Sequence, residues 1–194
     1  MIVRGVSIKS RHALDSNATM TRPQIIAYVA TSIDGYIAAK DGGVDWLNPY
    51  SIPELGFHEF LAGVDTVLMG RNSYDQILGF GKWPYPAKTS FVVTGRPLSR
   101  IEGESRTVAA DPDVILRALG EAGSRRVWAV GGAITYRGLF ANGLIDELRL
   151  FVVPELLGDG KPLFLAQDRP ARAQLAGERR FSNGIVELNY SFPR

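Results

Sequence analysis

Three short segments bring together residue types that can hold an anion. Met69-Gly70-Arg71-Asn72-Ser73, Val93-Thr94-Gly95-Arg96 and Val130-Gly131-Gly132-Ala133 each run from an apolar, β-prone stretch into glycine. Glycine at the end of a strand lets a ligand approach the backbone. Where a helix follows, its free N–H groups and the positive end of its dipole face the same point. The first two segments also supply an arginine. Taken singly, each has a plainer reading: Gly-Gly is an ordinary tight turn, and an arginine after a strand is usually solvated. The order of the three is what points to a phosphate-bearing ligand. GxGxxG and GxxxxGK[ST] are both absent. With only His12 and His58 and no cysteine, the chain has no material for a His-based metal cluster, a Ser-His-Asp triad, thiolate chemistry or a disulfide.

These junctions need strands to aim them. Gln24–Ala30, Val64–Met69, Ser90–Thr94, Thr107–Ala110, Arg126–Val130 and Glu147–Val153 read as strands, several of them nearly uncharged as buried strands are. Tyr36–Ala39 reads as a short extended piece and Lys40–Pro49 as a loop. Helices are expected over Pro53–Leu61, Asn72–Leu78, Pro112–Ala122, with Asp111 as cap and Gly123 as stop, and Thr135–Ala141. The stretch from Phe164 looks irregular until Ile185–Phe192 alternates as a closing strand. Strands alternating with helices, followed by a strand-rich last third, predict a three-layer αβα domain with a mixed, mainly parallel sheet. It should span residues 23–194, after an N-terminal extension over 1–22.

The chain has 194 residues, 45% hydrophobic and 22% charged, enough for one domain with its own core. No apolar run approaches the length of a membrane span. The net charge is +2 and the arginines are scattered, which argues against a nucleic-acid surface. The lack of cysteine is compatible with a reducing cytoplasm, the location expected here.

Five blocks in order, AYVATSIDGYIA (27–38), VDTVLMGRNSYD (64–75), FVVTGR (91–96), VWAVGGAITYRGLF (127–140) and GLIDELRLFVVPELLGDGKPLF (143–164), resemble the dihydrofolate reductase superfamily. The branch they resemble most is the reductase domain of the bifunctional riboflavin-biosynthesis deaminase-reductase. The resemblance implies an NADPH-dependent reductase acting on a pterin- or pyrimidine-like heterocycle, in the manner of a 5-amino-6-(5-phosphoribosylamino)uracil reductase, and a homodimer. It places Ala30, Thr31 and Ile37 beside the nicotinamide. Gly70, Arg71 and Ser73 fall at the pyrophosphate, and Thr94 and Arg96 at the adenosine ribose and its 2′-phosphate. Gly131, Gly132, Ala133, Ile134 and Tyr136 form the opposite wall, with a cis Gly131–Gly132 peptide.

On the substrate side the resemblance places Glu54 at the position of a protonation-assisting acid. A carboxyl beside Leu55 and Phe57 has its pKa raised if buried; the plainer reading is a glutamate complementing a helix start. Asp34 is a second acid, equally explicable as a turn residue. Trp46, Phe57 and Lys88 are the remaining substrate candidates. Lys88 stands where dihydrofolate reductases carry a folate-clamping arginine, and Phe151 where they carry a pterin-contacting threonine. Both departures argue against efficient folate turnover. Weak dihydrofolate reduction, and NADPH binding without turnover, are the alternatives.

Overall fold

The computed structural model describes residues 22–98, 100–166 and 170–193. The extension expected over residues 1–22 therefore lies outside the described residues, apart from Arg22. Arg22 belongs to the body: its guanidinium donates to the carbonyls of Gly143 (3.0 Å) and Leu144 (2.9 Å).

Ten strands and four α-helices follow. The strands are β1 (Gln24–Ser32), β2 (Tyr36–Ala38), β3 (Thr66–Gly70), β4 (Thr89–Val93), β5 (Glu104–Val108), β6 (Arg126–Gly131), β7 (Glu147–Val153), β8 (Lys161–Pro162), β9 (Gln174–Arg180) and β10 (Val186–Ser191). The helices are α1 (Phe57–Ala62), α2 (Arg71–Gly79), α3 (Pro112–Glu121) and α4 (Ala133–Ala141). Eight strands form one sheet in the order β5-β4-β3-β6-β1-β7-β10-β9. The first six in that order pair in parallel, and β10 and β9 add an antiparallel end. This is the mixed, mainly parallel sheet the sequence predicts. The small pair β2–β8 lies outside it.

Helices cover both faces, so the central strands are buried on both sides. All five residues of β3 are buried, which is why this strand reads as an unbroken apolar run. On one face Ile115 and Leu119 of α3 and Tyr136, Leu139 and Phe140 of α4 pack on Ile25, Leu68, Phe91 and Val127. On the other, Phe60 of α1 and Tyr74 and Ile77 of α2 pack on Ile26, Val67, Met69 and Trp128. Asp111 caps α3 as expected, its carboxylate accepting from the N–H groups of Asp113 and Val114.

The departures are local. The expected helix over Pro53–Leu61 is a 3₁₀ turn, Pro53–Leu55, and then α1. Between them Gly56 stands at φ +70°, a left-handed conformation that ends the first piece. The loop over Lys40–Pro49 contains a 3₁₀ helix, Asp45–Tyr50. The irregular stretch after Phe164 contains β9, an edge strand with all seven residues exposed. Such a strand has no buried face to impose an apolar alternation. No helix among the described residues is long and apolar enough to cross a membrane.

Candidate active site

The parallel strands end in one direction, and a cleft of about 1410 Å³ runs across their carboxyl ends. That volume exceeds the ordinary range for a single drug-sized ligand, ~300–1,000 Å³, and suits two ligands side by side. Its floor is Gly70 at the end of β3 and Val130-Gly131-Gly132 at the end of β6. Beyond each glycine a helix begins. Neither α2, capped by Gly70, nor α4, capped by Gly132, has a side chain bonded to its first N–H groups, and neither has an acid in its first turn. Both helices thus direct uncompensated donors at one cleft, whereas α3 has Asp111 for that purpose. The hydroxyls of Ser73 and Thr135 line the same place.

Close packing of backbones builds this floor. Thr135 lies on Gly70 so tightly that a side-chain carbon there would overlap its Oγ1. Gly131 stands at φ +139° and Gly132 at φ +95°, conformations that an L side chain rarely adopts. The expectation of a cis peptide between them is corrected: among the described residues every peptide bond is trans. Positive φ at both glycines makes the turn instead. Tyr136 borders the cleft but is wholly buried, donating its hydroxyl proton to the carbonyl of Ala129 (2.9 Å). Burial raises its pKa far above the usual tyrosine value. Arg71 lines the cleft with its donors engaged, Nε on Asp75 (2.7 and 2.9 Å) and Nη1 on the carbonyl of Pro97 (2.8 Å).

Of the residues singled out in the sequence, Ala30, Ile37, Phe57, Gly70, Arg71, Ser73, Gly131, Gly132, Ala133, Ile134 and Tyr136 line the cleft. Thr31 does not: it is buried, with its hydroxyl on the carbonyls of Ser32 and Tyr36. Thr94 and Arg96 sit just past β4, outside the lining, where Thr94 Oγ1 accepts from the Arg96 N–H (3.1 Å). Arg96 is exposed, with no side-chain partner among the described residues.

The substrate-side candidates disperse. Glu54 is exposed and outside the lining, so it is neither buried nor placed to meet a ligand in the cleft. Asp34 ties two loops together instead of facing the cleft. Its carboxylate accepts from Ser32 Oγ (2.5 Å) and from the N–H groups of Leu157 (3.2 Å) and Gly158 (2.7 Å). The Ser32 hydroxyl holds its pKa below the ordinary 3.8; desolvation, the next influence, pulls it up, and the Gly158 and Leu157 N–H groups each lower it by less. Trp46 packs into an apolar cluster with Phe151, Val153 and Ile185. Lys88 precedes β4, at the opposite end of the strands, and its ammonium donates to the carbonyl of Val64.

Sequence reasoning missed an aromatic wall made by Tyr28, Phe57, Trp128 and Tyr85. Only Phe57 was anticipated. The alternation of β1, which puts Tyr28 and Ala30 on one face, was the available signal.

The RibD C-terminal domain family matches residues 85–187, from before β4 into β10. The chain belongs to that family. It is therefore a reductase of the RibD C-terminal type, with the α/β fold of the dihydrofolate reductase superfamily. It is 31% identical to the "Uncharacterized protein YwjB" of Bacillus subtilis (strain 168) over 167 residues, 85% of this chain and 95% of that one. A putative riboflavin biosynthesis protein from Shewanella sp. PV-4 superposes with a TM-score of 0.80 at 30% identity, covering 88% of this chain and 99% of the other. The dihydrofolate reductase of Enterococcus faecalis complexed with NADP(H) superposes with a TM-score of 0.63 at 20% identity, covering 88% and 97%; at that identity the likeness concerns the fold.

Proposed function

We propose that this chain is an NADPH-dependent reductase that passes hydride to a small pterin- or pyrimidine-like heterocycle. The observation that carries the reading is the pair of uncapped helix starts, at Gly70–Arg71 and Gly132–Ala133, opening onto one cleft. A pyrophosphate fits such a pair, because helix N–H groups and dipoles favour negative charge without side-chain help. The NADP(H) complex of the Enterococcus relative, on the same fold, supports the choice of dinucleotide. Gly70, Ser73, Gly131, Gly132, Ala133 and Thr135 would hold it. Arg96, exposed and unpaired beside the mouth, would meet the 2′-phosphate.

When bound, NADPH supplies hydride. The chain's own residues would orient the acceptor: Ala30, Ile37, Phe57 and Trp128 line the cleft. Hydride would add to the carbon of a C=N or C=O bond, and the nitrogen or oxygen would take a proton. Glu54 and Asp34 lie outside the lining, so water is the proton source in this reading.

The test is direct. Purified chain should bind NADPH and oxidise it, followed by absorbance at about 340 nm, with at least one pterin or pyrimidine acceptor. Failure to bind NADPH would sink the proposal. Binding without oxidation by any acceptor would favour a cofactor-binding protein instead.

A further inference from the structure

We propose that residues 39–44 form a strap across the cleft, and that Gln76 is the latch that pins it to α2 and so sets how fast a dinucleotide enters and leaves. The inference rests on the reductase reading only for naming the ligand.

The strap joins β2 to the 3₁₀ helix Asp45–Tyr50, and both of its ends are anchored. At one end β2 pairs with β8 through Tyr36 and Ala38. At the other, Trp46, Leu47 and Tyr50 pack on the cluster of Phe151, Val153 and Ile185, and Tyr50 donates its hydroxyl proton to the Glu155 carboxylate (2.9 Å). Between these anchors the chain bonds to itself. The Ala39 N–H donates to the Gly43 carbonyl and the Gly42 N–H to the Ala39 carbonyl, each at 2.9 Å. The Gly43 N–H donates to the Asp41 carboxylate (2.8 Å). A turn closed by its own bonds can swing as one piece without losing them.

The order of the sheet says what the strap crosses. It follows β1 and β2, whereas α2 follows β3, and β6 lies between β1 and β3. A link from the strap to α2 therefore passes over the carboxyl end of β6, where Gly131 and Gly132 form the floor. Among the described residues one hydrogen bond makes that link: Gln76 Nε2 donates to the Gly42 carbonyl at 2.7 Å. Asp41, Gly42, Gly43, Val44 and Gln76 all line the cleft. Gln76 stands about one turn along α2 from Ser73, whose hydroxyl borders Gly132. The latch is thus one helical turn from the proposed pyrophosphate seat.

The tie is weak enough to work as a gate. Gln76 is exposed, so water competes for the Gly42 carbonyl, and one such neutral bond shifts the ratio of closed to open strap by about three- to tenfold. The ion pair of Lys40 with Asp159 has both side chains mostly in water and adds little. It also joins the strap to the loop before β8, on its own side of the cleft, and does not bridge it.

The experiment uses the full chain with Gln76→Leu and Gln76→Glu, neither of which can donate at neutral pH; the side chain is exposed, so its loss leaves no hole. The first readout needs no dinucleotide. Trypsin cuts after Lys40, inside the strap, at a rate that follows the open population, and this cut should quicken about three- to tenfold in both variants while the other cuts do not change. The second is stopped-flow binding of NADPH to Gln76→Leu. Association and dissociation should speed up by the same factor, leaving Kd within about twofold of the wild type, because a gate acts on both directions alike. Faster dissociation alone, with Kd raised in proportion, would make Gln76 a ligand contact and overturn the latch. Unchanged cutting after Lys40 in either variant overturns it as well, and unchanged NADPH rates overturn the gate. Faster cutting in a chain that ignores NADPH would uphold the latched strap while the reductase reading fell.

Discussion

Thr135 of α4 rests directly on Gly70 at the end of β3, its Oγ1 filling the space where a side chain would begin. This contact brings the two uncapped helix starts together. Gly70→Ala should therefore cost about 1–3 kcal/mol, the usual range for overpacking a tight site. Thr135→Ala in the same chain should restore most of it, because the Thr135 Cβ would then be 3.6 Å from the new methyl, an ordinary contact. Urea unfolding of the two single variants and the double would give the coupling. Additive effects would show that something other than this contact constrains Gly70.

Arg96 tests the proposed site for the cofactor's 2′-phosphate. Its side chain is exposed and unpaired among the described residues, so replacing it disturbs no protein contact. Arg96→Ala should weaken NADPH roughly tenfold or more, the worth of one or two hydrogen bonds to a charged group, and leave NADH nearly unchanged. Equal losses for both dinucleotides would remove the 2′-phosphate role.

The glycine floor of the cleft was far more legible in the sequence than its aromatic wall. Gly70, Gly131 and Gly132 could be read because a strand running into glycine and then a helix is a local pattern, contained in a few consecutive residues. The aromatic wall is not local. Tyr28, Phe57, Trp128 and Tyr85 come from β1, α1, β6 and the turn before β4, and only the order of the sheet brings them side by side. Lys88 was misjudged for a related reason: residue type and alignment do not say which end of a strand faces the cleft. β9 escaped notice because an edge strand exposed along its whole length carries no apolar period.

Glu54 and Asp34 now carry a different expectation from the one the sequence raised. Glu54→Gln should leave the rate of NADPH oxidation unchanged, since the side chain is exposed and outside the cleft. A clear fall in kcat would restore it as a proton source.

Asp34→Asn should likewise spare turnover but lower the melting temperature. The wild-type carboxylate has its pKa depressed in the fold, mainly by Ser32 Oγ, so its ionised form is the one the native state stabilises. That contribution is complete above the ordinary aspartate value of 3.8 and is lost as pH falls through the lower folded value. Melting curves of the two proteins from about pH 7 down to about pH 2.5 should run apart near neutrality and converge at the acid end. A gap that persists there would mean the loop clamp does not depend on the charge.

Glu187 supports the aromatic wall of the cleft from behind. Its carboxylate is almost wholly enclosed, and it binds Arg149, whose guanidinium in turn lies against the ring of Tyr28. Removing one partner of such a pair leaves the other charge buried without compensation. Glu187→Ala should accordingly destabilise the chain by about 3–5 kcal/mol. Replacing both charges, Glu187→Leu with Arg149→Met, should cost much less, because the ion then left without its partner is Arg179, whose side chain is about half exposed. The same pair of variants separates stability from positioning. If the ion pair also sets the Tyr28 ring, the double variant should fold well yet show a raised KM for the acceptor with kcat little changed. If it serves folding alone, KM should return to the wild-type value as stability returns.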